Sequence, residues 1–516
     1  MSQSRTLASL KNVSVIWLGQ LVSVLCTFIT RMVFVRYLSQ DYLGLETLFS
    51  NVLSILALAE LGIGSAIVFS LYKPLAEDDR EAIKSIMRLF GRCYNVIGVV
   101  IAVLGCIIAP NITLFISETP DIPHLSLYFL FFVGNTSVSY FFSYKGSLIS
   151  ADQKNYIVAL IRYAFQIGLS LAQIAVLVLT GSYLLYLACM LLSTLFMNIT
   201  TAVTANRLYP YLKEKDIKPI DPEVLGTIKR NVAGMVIHKS SSVVNAPVNG
   251  VILSWLTTLS TVAIYGNYLL VMNSLARVVD QMFDAIVASI GNMGVEASPE
   301  RQYEVYRTSV FVDSMLFGAL VVCYAALIAP FVEFAFGGNY LFPMHVALLF
   351  AAWFYFRGIR DASLSFISAY GLYWQTKYKA LAETIVLLAT TIPLTYFFGI
   401  EGLLVANIFV QVFISLLWEG LILHKHGFKR SAAGYFARQG LYTLVGVVLT
   451  VVACVVVSFI PGGPILRFLV GAVACLVIGF GGYALVFWRT REMREVLGIV
   501  KSLAARLKSR RKGGAA

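Results

Sequence analysis

Long apolar runs separated by short polar interruptions pattern this chain from end to end. Fourteen are read, at residues 13–36, 43–72, 91–114, 125–147, 155–180, 183–206, 231–256, 262–292, 305–330, 342–370, 377–398, 402–425, 436–460 and 465–488. Most reach about 20 residues, enough for a helix to cross a hydrocarbon core of about 30 Å. None shows the ten-residue alternation of a barrel strand. The pattern predicts an all-α integral membrane protein of about fourteen transmembrane helices.

The interruptions fall into two alternating sets. One carries Arg5 and Lys11; Lys73, Arg80, Lys84, Arg88 and Arg92; Lys154; Arg207, Lys213, Lys215, Lys218, Lys229 and Arg230; Arg301 and Arg307; Lys377 and Lys379; Lys425, Lys429 and Arg430; and the C-terminal tail. The other set, around 115–124, 181–182, 257–261, 331–341 and 399–401, has no Lys or Arg. Cytoplasmic loops are the ones enriched in these cations, so both termini are expected inside (N-in/C-in).

A faint internal repeat divides the chain. Asn12-Val13 and Asn231-Val232 open spans one and seven, and Gly44, Leu48, Asn51 and Leu53 match Gly266, Leu270, Asn273 and Leu275. This predicts two six-helix lobes in parallel orientation, at 1–207 and 231–426, joined by a cytoplasmic linker at 208–230. Spans thirteen and fourteen fill 427–488, and a basic cytoplasmic tail at 489–516 is expected to rest on anionic lipid headgroups.

Composition agrees. Hydrophobic residues make up 58% of the 516 and charged ones 13%, with mean hydropathy +0.79, against about 45–50% and about 25% in soluble chains. The net charge of +13 sits on one side of the spans, so no nucleic-acid partner is expected. All seven cysteines fall within apolar runs without a CxxC pair, which argues for packing rather than disulfides or zinc. The first span lacks a signal-peptide cleavage site and is expected to be retained. There is no GxxxxGK[ST], HExxH or GxSxG motif and the five histidines are scattered, so no catalytic residue, metal or cofactor is expected.

What remains is charge within the bilayer, where a lone ion at a helix centre costs about 2.5–3.5 kcal/mol on insertion scales. The residues concerned are Arg31, Glu60, Lys239, Arg277, Asp280, Asp284, Arg357, Arg360 and Asp361; Lys145, Arg162, Asp313 and Glu383 lie nearer an edge. Gln20, Ser23, Thr27, Thr30 and Arg31 share one helical face of span one, Lys239, Ser242, Asn245 and Asn249 one face of span seven, and Asn273, Arg277, Asp280 and Asp284 one face of span eight. Such stripes imply a hydrated cavity between the lobes. Arg277 with Asp280 or Asp284, and Arg357 or Arg360 with Asp361, also fit plain helical ion pairs. Arg31 and Lys239 have no carboxylate within helical reach, and a surplus of cations suits a phosphate or pyrophosphate group. Glu60, Asp280, Asp284 and Asp361 are possible sites for a coupling H+ or Na+. For Glu60, beside Gly62 and Gly64, a helix-packing role or a partnership with Arg31 stays equally open.

The opening Arg31-Met32-Val33-Phe34-Val35-Arg36-Tyr37-Leu38, then Asp41-Tyr42-Leu43-Gly44-Leu45, Leu58-Ala59-Glu60-Leu61-Gly62-Ile63-Gly64 and Leu71-Tyr72-Lys73-Pro74-Leu75-Ala76 resemble the polysaccharide transporter branch of the multidrug/oligosaccharidyl-lipid/polysaccharide exporter superfamily, the Wzx-type flippases. The resemblance implies a two-lobed bundle in a bacterial cytoplasmic membrane that moves undecaprenyl-(pyro)phosphate-linked oligosaccharide to the outer leaflet, with the membrane lipids and, in the same pathway, a polysaccharide polymerase and glycosyltransferases as partners. On the reading of the bilayer charges and polar stripes, Arg31, Lys239, Arg277, Arg357 and Arg360, with Ser242, Asn245, Asn249 and Asn273, are expected to meet the phosphate and sugar head of such a substrate. A multidrug or metabolite antiporter of the same superfamily is the alternative. A membrane-embedded polymerase or glycosyltransferase fits less well, because none of the cation-free loops is large enough to hold a catalytic acid or base.

Overall fold

The computed structural model describes the backbone at 2–60, 62–117, 120–214, 216–296, 298–498 and 501, and the side chains of these residues except 2–18, 58–59, 231, 233–246, 284–285, 288–289, 292, 294–296 and 373. Its described elements are all helical. In order they are α1 (Ser2–Tyr37), α2 (Gln40–Leu56), α3 (Ile63–Glu77), α4 (Arg80–Ile108), α5 (Leu125–Ala151), α6 (Asn155–Thr180), α7 (Tyr183–Leu208), α8 (Pro222–Leu256), α9 (Leu259–Glu296), α10 (Pro299–Ala335), α11 (Met344–Gly358), α12 (Asp361–Ala369), α13 (Tyr373–Phe409), α14 (Leu417–Ile422), α15 (Ala433–Ser458) and α16 (Pro464–Phe487).

Among the described residues, ten helical stretches are long and apolar enough to cross a membrane, which makes this a multi-pass membrane protein. Each of the fourteen apolar runs falls on helix; the smaller number arises because 43–72 and 342–370 are split, 231–256 is described only in part, and 377–398 and 402–425 lie in one helical stretch, Trp374–Phe428. The run at 43–72 splits into α2 and α3 through a tight turn at Ala57–Glu60 and Gly62, whose φ of 77° an L side chain would resist. The run at 342–370 splits between Gly358 and Asp361 into α11 and α12. Gly399, at φ 59° and ψ −134°, kinks α13 where a short cation-free loop is read from the sequence. The charged segment up to Arg92 is no separate surface helix: it continues without a break into the third run as α4.

Caps explain several boundaries. Asp79 accepts from the Ala82 amide and starts α4; Asp221 and Ser298 do the same for α8 and α10, each followed by a proline at the first helical position.

Two compact units divide the chain, Met1–Ala263 and Ile264–Ala516. The lobe boundary drawn from the repeat lies earlier, at 231, whereas α8 packs against α2 and α3 within the first unit. In that unit α5 packs on α4 and α7, and α6 lies between α1 and α7. In the second unit α10 is the central helix, contacting α11, α15 and α16, with buried Phe311, Phe317 and Tyr324 along it.

Candidate functional site

Glu60 sits at the break between α2 and α3 rather than in the middle of a continuous helix. Its carboxylate accepts hydrogen bonds from the hydroxyls of Tyr94 on α4 and, at 2.9 Å, Tyr140 on α5. A Cβ at Gly64 would meet that Tyr94 hydroxyl. Both glycine roles read from the sequence are therefore present: Gly62 bends the chain and Gly64 admits a neighbour. The partner of Glu60 is a pair of tyrosines and not Arg31.

Arg31 pairs instead with Glu46 of α2, at 3.2 Å, in a half-buried position. The pair lies beside the packed rings of Tyr183 and Tyr186 at the start of α7. Phe34 of α1 meets both rings, at centroid distances of 6.0 and 5.2 Å. Helical spacing could not reveal Glu46, because it belongs to the next helix. The polar stripe of span one is largely satisfied locally. Thr27 donates to the Ser23 carbonyl at 2.9 Å, and Gln20 accepts from Tyr163 of α6 at 3.5 Å. Thr30 is buried without a hydrogen-bond partner for its hydroxyl among the described residues, and Asn249 is buried in α8. Lys239, Ser242, Asn245 and Asp284 lie outside the described side chains.

The second unit holds two charge clusters. In the first, Arg357 Nη2 donates to Asp280 Oδ2 at 3.3 Å, a pairing across helices and not the one along the chain with Asp361. Asp361 and Asp280 come within hydrogen-bonding reach of each other, and Asp313 lies close enough to feel both charges. Asp313 is not an edge residue free to reach water: it is fully buried, and its Oδ2 accepts from the Ala362 amide at the start of α12, at 3.0 Å. Asp280 Oδ1, Asp313 Oδ1 and Asp361 Oδ2 are buried without a donor among the described residues. Three carboxyl groups thus gather here, and Arg357 is the cation paired with one of them.

The second cluster is a buried ion-pair network. Arg360 grips Glu419 of α14 through Nε at 2.8 Å and Nη2 at 2.5 Å and sits 3.6 Å from Glu383 of α13. Lys379 bridges the same acids, at 3.1 Å to Glu383 and 2.5 Å to Glu419. Gln411 accepts from Arg360, and Ser415 donates to Glu383. The residues 410–416 form a π-helix, whose wide turns set Gln411, Ser415 and Glu419 on one side. Arg360 is thus fully compensated, by acids far from it in sequence, and Glu383 is a buried member of the network rather than a residue at the membrane edge. The sequence reading passed over Glu419, although its position inside an apolar run was the available signal.

The cation surplus expected from the sequence is correspondingly smaller. Arg277 is exposed on α9 and makes no ion pair among the described residues, and Asn273, one turn earlier, is exposed as well. Among the described residues no group of three or more His, Cys, Asp or Glu side chains is arranged to hold a metal ion.

No family model matches the sequence, and no curated protein matches it. Solved structures do. The lipid II flippase MurJ, in an inward closed conformation, aligns with a TM-score of 0.64 at 12% identity, over 92% of this chain and 98% of its own. An inward-facing multidrug resistance transporter of the MATE family, in the MOP superfamily, aligns with a TM-score of 0.62 at 15% identity, over 80% and 96%. A MATE transporter of Vibrio cholerae aligns at 0.51 and 15%, over 83% and 99%. At such identities the likeness is one of fold: this chain has the helical fold shared by the lipid II flippase and the MATE transporters.

Proposed function

We propose that the chain is a flippase, related to the Wzx type, that moves undecaprenyl-(pyro)phosphate-linked oligosaccharide from the cytoplasmic to the outer leaflet of a bacterial cytoplasmic membrane for cell-surface polysaccharide synthesis. The likeness to the lipid II flippase over 92% of the chain carries this reading. The motif around Glu60 and Lys73-Pro74 adds to it, since fold alone does not fix function. In this reading all fourteen apolar runs cross the membrane, the broken ones included, with both termini inside. Broken helices are tolerated at membrane depth where they are covered by protein or line water.

Arg277 is the cation best placed for the phosphate, because it is exposed and carries no counter-charge among the described residues. Lys239, Ser242, Asn245, Asn249 and Asn273 would contact the sugar-phosphate head, while Arg31, Arg357 and Arg360 act chiefly through their carboxylate partners. Coupling falls to the Asp280, Asp313 and Asp361 cluster, where neighbouring carboxyl groups would favour taking up a shared H+. Glu60 and Asp284 are further coupling residues, and rocking of the lobes alternates access. Polymerase and glycosyltransferases of the pathway are the proposed partners.

Purified protein in liposomes is expected to move a fluorescent lipid-linked oligosaccharide, and Arg277→Ala to slow it without loss of folded protein. Asp361→Asn should remove its dependence on a pH gradient. The MATE likeness favours the second reading, a multidrug antiporter. Translocation no better than in empty liposomes, together with robust efflux of a cationic dye, would establish that reading in place of the first.

A further inference from the structure

The charged start of α4 does more than face water. Lys84, Arg88 and Arg92 recur every four residues and so lie along one side of the helix. With Lys145 of α5 they line a pocket of about 270 Å3, closed on a third side by Leu212 and Ile217 of the connection that follows α7. That connection is fastened to α4. Lys84 is buried and binds Glu81 at 2.5 Å and Glu214 at 2.7 Å; Ser85 donates to the Lys218 carbonyl at 2.8 Å; and the Arg80 guanidinium sits 5.6 Å from the Tyr211 ring centre.

The charge balance inside the pocket is uneven. Glu81 and Glu214 are both taken up by Lys84. Lys145 donates to a neutral acceptor, Asn206 Oδ1, at 3.0 Å, so its charge is uncompensated. Arg88 and Arg92 are exposed and make no ion pair or side-chain hydrogen bond among the described residues. Three uncompensated cations from two helices thus converge on one concavity, with the exposed Asn95 amide as a further donor. Depth along the helix narrows the ligand. The outward apolar surface of α4 begins at Val96 and continues through Val99, Val103 and Ile107, so Arg92 stands one turn above the lipid tails, at the level of the headgroups.

We propose that Arg88, Arg92 and Lys145 form a binding pocket for a phosphoryl group at headgroup depth. Two guanidinium forks four residues apart offer bidentate bonds to phosphate oxygens, and the ammonium of Lys145 adds a point charge from the opposite wall. The ligand chemistry is that of an anionic phosphate, carried by a lipid or free in the cytoplasm. The site stands independently of the substrate assigned above, because its test reads binding and no transport.

Full-length protein in nanodiscs answers the question in two arms. In the first, discs of phosphatidylcholine mixed with phosphatidylglycerol are analysed by native mass spectrometry, and retention of phosphatidylglycerol is expected to fall about tenfold in R88Q/R92Q. In the second, inorganic phosphate is titrated into discs of phosphatidylcholine alone by calorimetry, with the same dependence on the variant. Loss in the first arm alone assigns a lipid phosphate, loss in the second alone a free one, and both support the pocket. Arg88 and Arg92 are exposed, so their replacement spares the core. Lys145→Gln supplies a second variant that should weaken binding less, and Lys429→Gln, in the other unit, should leave it unchanged. Equal binding by wild type and R88Q/R92Q in both arms, or binding in neither, overturns the proposal.

Discussion

Glu60 in the first unit and the Glu383 and Glu419 pair in the second are held in opposite ways. In the first, Glu60 is surrounded by hydroxyls: Tyr94 and Tyr140 donate to it, and no cation reaches it among the described residues. In the second, Glu383 and Glu419 are answered charge for charge by Arg360 and Lys379. A carboxylate held by neutral donors can be protonated with the loss of a hydrogen bond and little rearrangement of its partners. One locked between two cations cannot, because protonation would leave the cations uncompensated in a low-dielectric interior. On the proposed reading the network of the second unit is a structural fastening, whereas Glu60 and the Asp280, Asp313 and Asp361 cluster would carry the coupling ion.

The largest test of that contrast is to break the fastening. Arg360→Ala strips Glu419 of its bidentate partner and leaves it buried, with Lys379 as its one remaining cation, and should cost about 3–5 kcal/mol. Thermal unfolding in detergent should show it as a large fall in Tm. The double replacement R360M/E419L, which removes both charges and keeps the volume, should recover most of the loss. If the double variant is no better than the single one, the network does more than balance charge.

Next in size is the tyrosine pair. Tyr94→Phe should cost about 1.5–3 kcal/mol, the usual range for a hydrogen bond to an ionised group. The cost should shrink when Glu60→Gln is already present, because the amide is a weaker acceptor. A double-mutant cycle measures the difference, and additive effects would mean that Tyr94 matters for packing alone. Gly62→Ala comes below this, at about 1–2 kcal/mol, since alanine must enter the left-handed region that closes the break beside Glu60. The same variant in the liposome assay separates a hinge from a fixed bend: a fixed bend predicts loss of stability without loss of turnover per folded molecule.

Much of this was legible in the chain. Every apolar run falls on helix and the short loop read at 399–401 falls on the Gly399 kink, but the sequence reading misses the splits of 43–72 at Gly62 and of 342–370 between Gly358 and Asp361. The pairing of charges was not legible. Helical periodicity pairs residues three or four apart, but Arg31 meets Glu46, Arg357 meets Asp280, and Arg360 meets Glu419, each on a different element. The spacing of Gln411, Ser415 and Glu419, four apart, does place them on one side of a helix, but it could not show that Arg360 and Glu383 would face that side. The basic pocket of α4 was half visible: the cations stood in the sequence, whereas Lys145 and the wall from the connection after α7 came from elsewhere in the fold.

The smallest effect tests whether the tyrosine device of the first unit also operates at its water edge. Asp152, in the turn between α5 and α6, accepts from Tyr209 at 2.7 Å and from Lys154 at 2.7 Å. Burial pushes its carboxyl up, but the Lys154 ammonium and the Tyr209 hydroxyl outweigh it and hold the group below the ordinary aspartate value. A lowered value in the folded state means the contribution is whole above the unfolded pKa of about 3.9 and is lost as pH falls through the folded one. Tyr209 mirrors this: burial and then the bond to Asp152 raise its hydroxyl, so its contribution is whole below about 10 and fades as pH rises beyond it. Tyr209→Phe should therefore lower stability most near pH 7 and least at the two extremes, which flattens the profile, with an effect of about 1 kcal/mol or less for a part-exposed group. Unfolding midpoints across the pH range check it. A flattening at the alkaline end alone would show that Lys154 and not the tyrosine governs Asp152, and the contrast between hydroxyl-held and cation-held acids would then apply to the membrane interior of the first unit and not to its surface.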